Sequence, residues 1–217
     1  MPISRIFTGA ALLAPLLAIL LAGCADIVTK IPATDRLQQR ADALEAVGDY
    51  QGAAQLYLSA ARQAGEPDRH RLQLLAAGSL VRGGDHPQAA SLLDSMIPEQ
   101  LSEPDRQHYT LVRAAIALAE QRPDKVHSLL QSVPTSGPFI ADYRRLRADA
   151  WLLDSKYFRS AEERVLLYPL LTDPEAQQLN RRAIWEAVNS LTDEELQTLR
   201  TAPPPDVLSG WMELVEL

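Results

Sequence analysis

The chain has 217 residues, 47% of them hydrophobic, with 21 basic and 28 acidic side chains and a net charge of −7. That acidity argues against nucleic acid as a partner, because phosphate binding depends on clustered Lys and Arg. Cys24 is the only cysteine, so the fold contains no internal disulfide and rests on packing alone.

Residues 1–23 carry one charge, Arg5, ahead of an uncharged stretch from Ile6 to Leu21 that ends in Leu21-Ala22-Gly23-Cys24. An ordinary secretory signal ends in small residues alone. Leu, a small residue, Gly and then Cys is instead the pattern of a lipobox, in which the thiol accepts diacylglycerol. The expectation is a lipoprotein signal peptide over 1–23, cleavage before Cys24, and lipid on that cysteine. A short membrane-spanning anchor is the alternative, but Pro15 interrupts the stretch and the cysteine stands at the position lipidation needs. Several acyl chains, at about 0.8 kcal/mol per buried CH₂, make a durable tether. Ala25 rather than Asp follows Cys24, which in the sorting rule for such lipoproteins points to the periplasmic face of the outer membrane. Removing 1–23 takes away Arg5 and no acid, so the charge of the remaining 194 residues is −8.

After a linker over 24–34, the composition becomes that of an all-helical protein. Ala, Leu, Gln, Arg and Glu dominate, and Val, Ile, Thr and aromatics are sparse. The stretch Gly48-Asp49-Tyr50-Gln51-Gly52-Ala53-Ala54-Gln55-Leu56-Tyr57-Leu58-Ser59-Ala60 resembles the second helix of a tetratricopeptide (TPR) repeat. Gly48 stands where a left-handed turn ends the first helix, and Ala53, Tyr57 and Ala60 fall at small, aromatic and small packing positions. Leu37, Ala41 and Leu44 take the matching places upstream. The turn recurs at Gly84-Asp85-His86, Gln121-Arg122-Pro123 and Ser155-Lys156-Tyr157. Taking Tyr50, His86, Pro123 and Tyr157 as equivalent gives steps of 36, 37 and 34 residues, around the 34-residue unit. Ser160 and Arg164 stand where a small and a large apolar residue are expected, so the later repeats are irregular.

The expected helix pairs are 35–47 with 50–64, 68–82 with 86–96, 105–120 with 123–132, 139–154 with 156–168, and 174–189 with 193–200. Ser102, Thr172 and Thr192 each precede an acid by three residues, the pattern of a helix N-cap, and the prolines fall in the connections. No pair can bury its apolar face alone. The fold class is therefore all-α, a TPR-like antiparallel helix-pair solenoid over 35–201 with a concave and a convex side. Residues 202–217 read as a break at Pro203-Pro204-Pro205 followed by the start of a further helix, with Val207, Leu208, Trp211, Leu214 and Val215 on its apolar face. That much apolar surface on a last helix suggests a piece of a longer protein.

Catalytic chemistry is not in view. His70, His86, His108 and His127 are too widely spaced for a metal cluster, and no cofactor is implied. Glu162-Glu163 and Glu194-Glu195 read as solvated helix faces or caps. Gly83-Gly84 closes a helix, and the Ser-Gly neighbourhoods lack the strand that a nucleophile elbow needs. The chain reads as a non-enzyme.

Twelve of the 17 arginines after Cys24 fall in the expected first helices, which line the concave face of a TPR solenoid. Arg106, Arg113, Arg144, Arg145, Arg147, Arg181 and Arg182 are thus candidates for a groove that takes an acidic peptide, a carboxylate or an anionic polymer such as peptidoglycan. Pairing with neighbouring acids such as Asp142 and Asp149 is the plainer alternative.

The lipobox, the irregular TPR-like helices and the stretch Gly210-Trp211-Met212-Glu213-Leu214 together resemble the N-terminal part of the LpoA family of penicillin-binding protein activators, over essentially the whole chain. The resemblance implies an outer-membrane lipoprotein that reaches a class A penicillin-binding protein and stimulates peptidoglycan synthesis. In that family the contact with the synthase belongs to a C-terminal domain resembling periplasmic binding proteins, which this chain does not include. The resemblance therefore implies a helical spacer and interaction domain here, with no activator contact residue to assign. A general TPR adaptor lipoprotein in envelope assembly is the alternative.

Overall fold

A computed structural model describes residues 32–201 and Gly210. The expected signal peptide, Cys24, most of the linker and nearly all of 202–217 lie outside the described residues. Five antiparallel helix pairs follow one another: α1 (Ala33–Ala46) with α2 (Tyr50–Gln63), α3 (Asp68–Arg82) with α4 (His86–Asp94), α5 (Glu103–Ala119) with α6 (Pro123–Leu130), α7 (Ile140–Leu153) with α8 (Tyr157–Leu167), and α9 (Pro174–Asn189) with α10 (Asp193–Thr201). Every boundary falls within two residues of its expectation. In the first four pairs the first helix packs on its partner, and α5 packs on both α3 and α7, as in a TPR stack.

The first four hairpins share one turn geometry whatever residue occupies it. Gly48 and Gly84 have φ of +80° and +81°, and Gln121 and Ser155, at the equivalent places, have φ of +56° and +55°. Glycine is at home in this left-handed region, while a Cβ is strained there. In the first two hairpins an aspartate then caps the second helix. The Gly52 N–H donates to Asp49 at 2.9 Å and the Gln88 N–H to Asp85 at 3.1 Å. Arg122 and Lys156 hold the equivalent positions without a side-chain cap. In the fourth hairpin the Glu195 carboxylate, reaching over from α10, accepts the Phe158 N–H at 3.1 Å instead. Glu195 also closes a capping box, accepting the Thr192 N–H at 3.1 Å while its own N–H donates to the Thr192 hydroxyl at 3.2 Å.

Two expectations need correcting. The cap of α9 is Asp173, which accepts the Ala176 N–H at 2.9 Å, and not Thr172. Pro174 at the first helical position fixes the residue before it as the cap. Glu163 is not on a solvated face, being only 7% exposed.

Ala41, Ala77, Ala114 and Ala148 take one position in four successive first helices and are fully buried. Ala53, Ala89, Val126 and Ser160 do the same in the second helices. These small residues let the helix axes approach, and larger side chains there would cost about 1–3 kcal/mol each in overpacking. The buried apolar residues form three clusters. One runs from α1 into α5, a second from α5 to α7, and a small third joins α8 and α9. The break between the second and third coincides with the fourth hairpin.

Candidate functional site

The fourth hairpin replaces apolar contacts with ionic ones. Eight residues after the left-handed turn residue, Leu56, Leu92 and Leu129 pack in hairpins one to three, and Glu163 stands in the fourth. One residue later, Tyr57, Leu93 and Leu130 are buried, and the fourth hairpin has Arg164. The first helix compensates on both counts. Arg144 reaches Glu163 at 2.7 Å and Arg147 reaches its other oxygen at 3.2 Å. Arg164 donates to Asp149 at 2.5 Å. Burial holds the Asp149 carboxyl above its ordinary value, against the pull of Arg164 and Arg145.

The candidate arginines are therefore distributed as follows. Arg144 and Arg147 turn toward the hairpin interior through Glu163, and Arg147 also donates to the Tyr143 hydroxyl at 3.0 Å. Arg113 repeats that arrangement with Tyr109 at 2.9 Å and adds an ion pair to Asp94 on α4. Arg106 pairs with Glu103 at 2.7 Å and Arg182 with Glu186 at 2.8 Å, each within its own helix. Arg181 is exposed on α9. Arg145 pairs with Asp142 at 2.7 Å, and it lines two clefts.

One cleft lies between α3, α5 and α7, where Arg82, His108, Asp142 and Arg145 surround Gly78, Ala115 and Leu146. His108 stacks on Phe139 with ring centroids 5.3 Å apart. Burial holds its pKa below the ordinary histidine value, although Asp142 and Asp105 favour the charged form. The other cleft, of about 320 Å³, lies between α7, α8 and α9 and is lined by Asp142, Arg145, Arg164 and Asn180 with Leu167, Leu171 and Leu179. It forms because α9 packs on α8 and on the Tyr168–Leu170 turn. Asn180 Oδ1 and Arg164 Nε are buried without a hydrogen-bond partner. Groups left so cost about 1–3 kcal/mol each. Among the described residues no three of His, Cys, Asp and Glu come together as metal ligands.

Glu163, Arg164 and Asn180 escaped the sequence reading as site residues. Superposing the hairpins at their turns would have flagged Glu163 and Arg164 as polar replacements of apolar residues. Nothing in the sequence pattern marks Asn180.

The family described as "LppC putative lipoprotein" matches residues 49–217, most of the chain. This chain belongs to the LppC family. It is similar to the penicillin-binding protein activator LpoA of Edwardsiella ictaluri, at 28% identity over 206 residues covering 93% of this chain and 28% of that protein. With the activator LpoA of Escherichia coli K12 it shares 29% over 171 residues, covering 77% and 25%. The chain thus spans little more than a quarter of the length of these curated relatives. Among solved structures, the amino-terminal domain of E. coli LpoA aligns at a TM-score of 0.65 and 27% identity, covering 75% of this chain and 73% of that one. The N-terminal domain of Haemophilus influenzae LpoA aligns at 0.66 with 21% identity, covering 85% and 81%, a likeness of fold. The helical-repeat fold of this LppC-family chain is therefore one that LpoA N-terminal domains share.

Proposed function

We infer that this chain is the helical spacer and interaction domain of a lipoprotein that regulates peptidoglycan synthesis by activating a class A penicillin-binding protein. The observation that carries this reading is the similarity over 93% of the chain to relatives named as penicillin-binding protein activators. Leu21-Ala22-Gly23-Cys24 supports a lipid anchor, and Ala25 supports the outer membrane as its location. The five stacked hairpins suit reach and docking, and the relatives' names as activators suit a regulator without catalysis of its own.

The test is palmitate labelling and membrane fractionation of the natural protein, followed by affinity capture from solubilised envelopes. The expected result is label on the wild type and none on Cys24→Ala, sedimentation with the outer membrane, and recovery of a class A synthase. Capture of other envelope proteins with no synthase would favour the adaptor reading instead.

A further inference from the structure

The cleft between α3, α5 and α7 has a place in its wall where a side chain is missing. Gly78 stands in the interior of α3, where alanine would make the more stable helix. A Cβ there would lie 3.9 Å from Arg82 Nη1 and 3.9 Å from His108 Nε2, an ordinary contact distance, so the packing of the helices does not require glycine. The space it leaves is flanked by one nitrogen from α3 and one from α5.

Both nitrogens are available. Arg82 gives Nη2 to Glu45, which leaves Nη1 beside Gly78. His108 has no hydrogen-bond partner among the described residues, and its ring nitrogens stay open to solvent, unlike Nδ1 of His86. From α7, Arg145 gives Nη2 to Asp142 at 2.7 Å and keeps Nε and Nη1 for another acceptor. Of the charged side chains that line the cleft, Arg82 and Arg145 are cations and Asp142 alone is an acid. Glu45 and Asp105, the other acids near His108, are engaged elsewhere, Glu45 by Ser79 and Arg82 and Asp105 by Ser102. The cleft therefore suits an anion with more than one acceptor oxygen.

We propose that this cleft binds a carboxylate borne on an aliphatic carbon. One oxygen sits beside Gly78 and accepts from Arg82 Nη1 and from His108 Nε2. The other accepts from Arg145, and the carbon rests on Val81 and Leu146. The cleft holds about 70 Å³, a little over twice the ~30 Å³ share of a water molecule. It takes the carboxylate itself, and the rest of the ligand lies outside it along the first helices. Recognition rests on three donors from three helices around one absent side chain, and it does not depend on the synthase reading.

The experiment is an NMR titration of the labelled, unlipidated chain, read on the His108 ring and the Arg82 and Arg145 guanidinium resonances. Three probes are compared: N-acetyl-Ala-Ala, which ends in a free carboxylate; N-acetyl-Glu N-methylamide, which carries one on a side chain; and the neutral N-acetyl-Ala-Ala amide. Saturable shifts with a carboxylate probe and none with the amide are expected, and the tighter of the two carboxylates tells a chain end from an acidic side chain as the source. Gly78→Ala should raise the urea midpoint of the fold and yet weaken binding about fivefold, because its methyl crowds the bound oxygen. A glycine of purely structural importance would not separate the two readouts in that way. Arg145→Gln, an exposed change, should weaken binding about tenfold, the loss of one charge-assisted hydrogen bond. No saturable shift with either carboxylate up to about 10 mM, beyond the millimolar weak limit of useful affinity, would overturn the proposal. An equal response to the amide, or undiminished binding by both folded variants, would overturn it as well.

Discussion

Arg164 donates to Asp149 at 2.5 Å across the fourth helix pair, and the two residues are 15 apart in sequence; Tyr57 donates to Asp42 at the same distance and separation across the first. The two pairs take equivalent places in their hairpins. An aspartate on the first helix thus receives either a phenol or a guanidinium from the large position of the second. Arg164→Ala should destabilise the chain by about 2–3 kcal/mol, because it strands a mostly buried carboxylate. Arg164→Tyr should recover much of that loss by copying the first hairpin. Urea unfolding of the two variants decides it, and equal losses would show that the equivalence has no energetic content.

Glu163, between Arg144 and Arg147, gives a second test. Glu163→Leu restores the leucine of the other hairpins but leaves two guanidinium groups without their acid, at a cost of about 2–4 kcal/mol. Adding Arg144→Leu and Arg147→Ala, the residues of hairpins one and two at those places, should return stability to at least the starting value, since well-packed apolar residues often match a buried ion triad. The comparison is again by denaturant melts.

The left-handed turns at Gln121 and Ser155 are strained sites. Gln121→Gly and Ser155→Gly should each raise stability by about 0.5–1 kcal/mol, the relief of the Cβ clash less the added freedom of the unfolded chain. Gly48→Ala and Gly84→Ala should lower it by a similar amount. A stabilising alanine at either glycine would contradict the turn assignment.

Much of the fold was legible because these turns announce themselves. Gly48-Asp49 and Gly84-Asp85 combine a residue suited to positive φ with a capping carboxylate, and the two later turns were found by counting a repeat length from them. The site was less legible. The arginines were counted by helix, but helix membership does not say which way a side chain turns. Arg144 and Arg147 follow Glu163, whose burial no local pattern reveals, because its acidic neighbour Glu162 makes the pair look like a surface. Asn180 is buried through α9 packing on α8, a relationship set by tertiary structure.

Acid should weaken the solenoid through His108. Its folded pKa lies below the ordinary 6.5, first because of burial. The unfolded chain therefore binds more protons below that value, and stability present above pH 6.5 is lost as pH falls, by at most about 1.4 kcal/mol per unit. Asp149, held above 3.8 by burial, works in the opposite sense and gains stability for the fold as pH drops toward that value. The difference between wild type and His108→Gln isolates the histidine. It should shrink as pH falls below 6.5, and parallel curves would remove the effect.

Under the proposed function, this helical segment serves location and docking, and it does not itself activate a synthase. Glycan polymerisation by a purified class A penicillin-binding protein, measured with residues 25–217 alone and with the whole natural protein, addresses it most directly. The account predicts stimulation by the whole protein and an unchanged rate with the helical segment. Stimulation of equal size by the segment alone would contradict it.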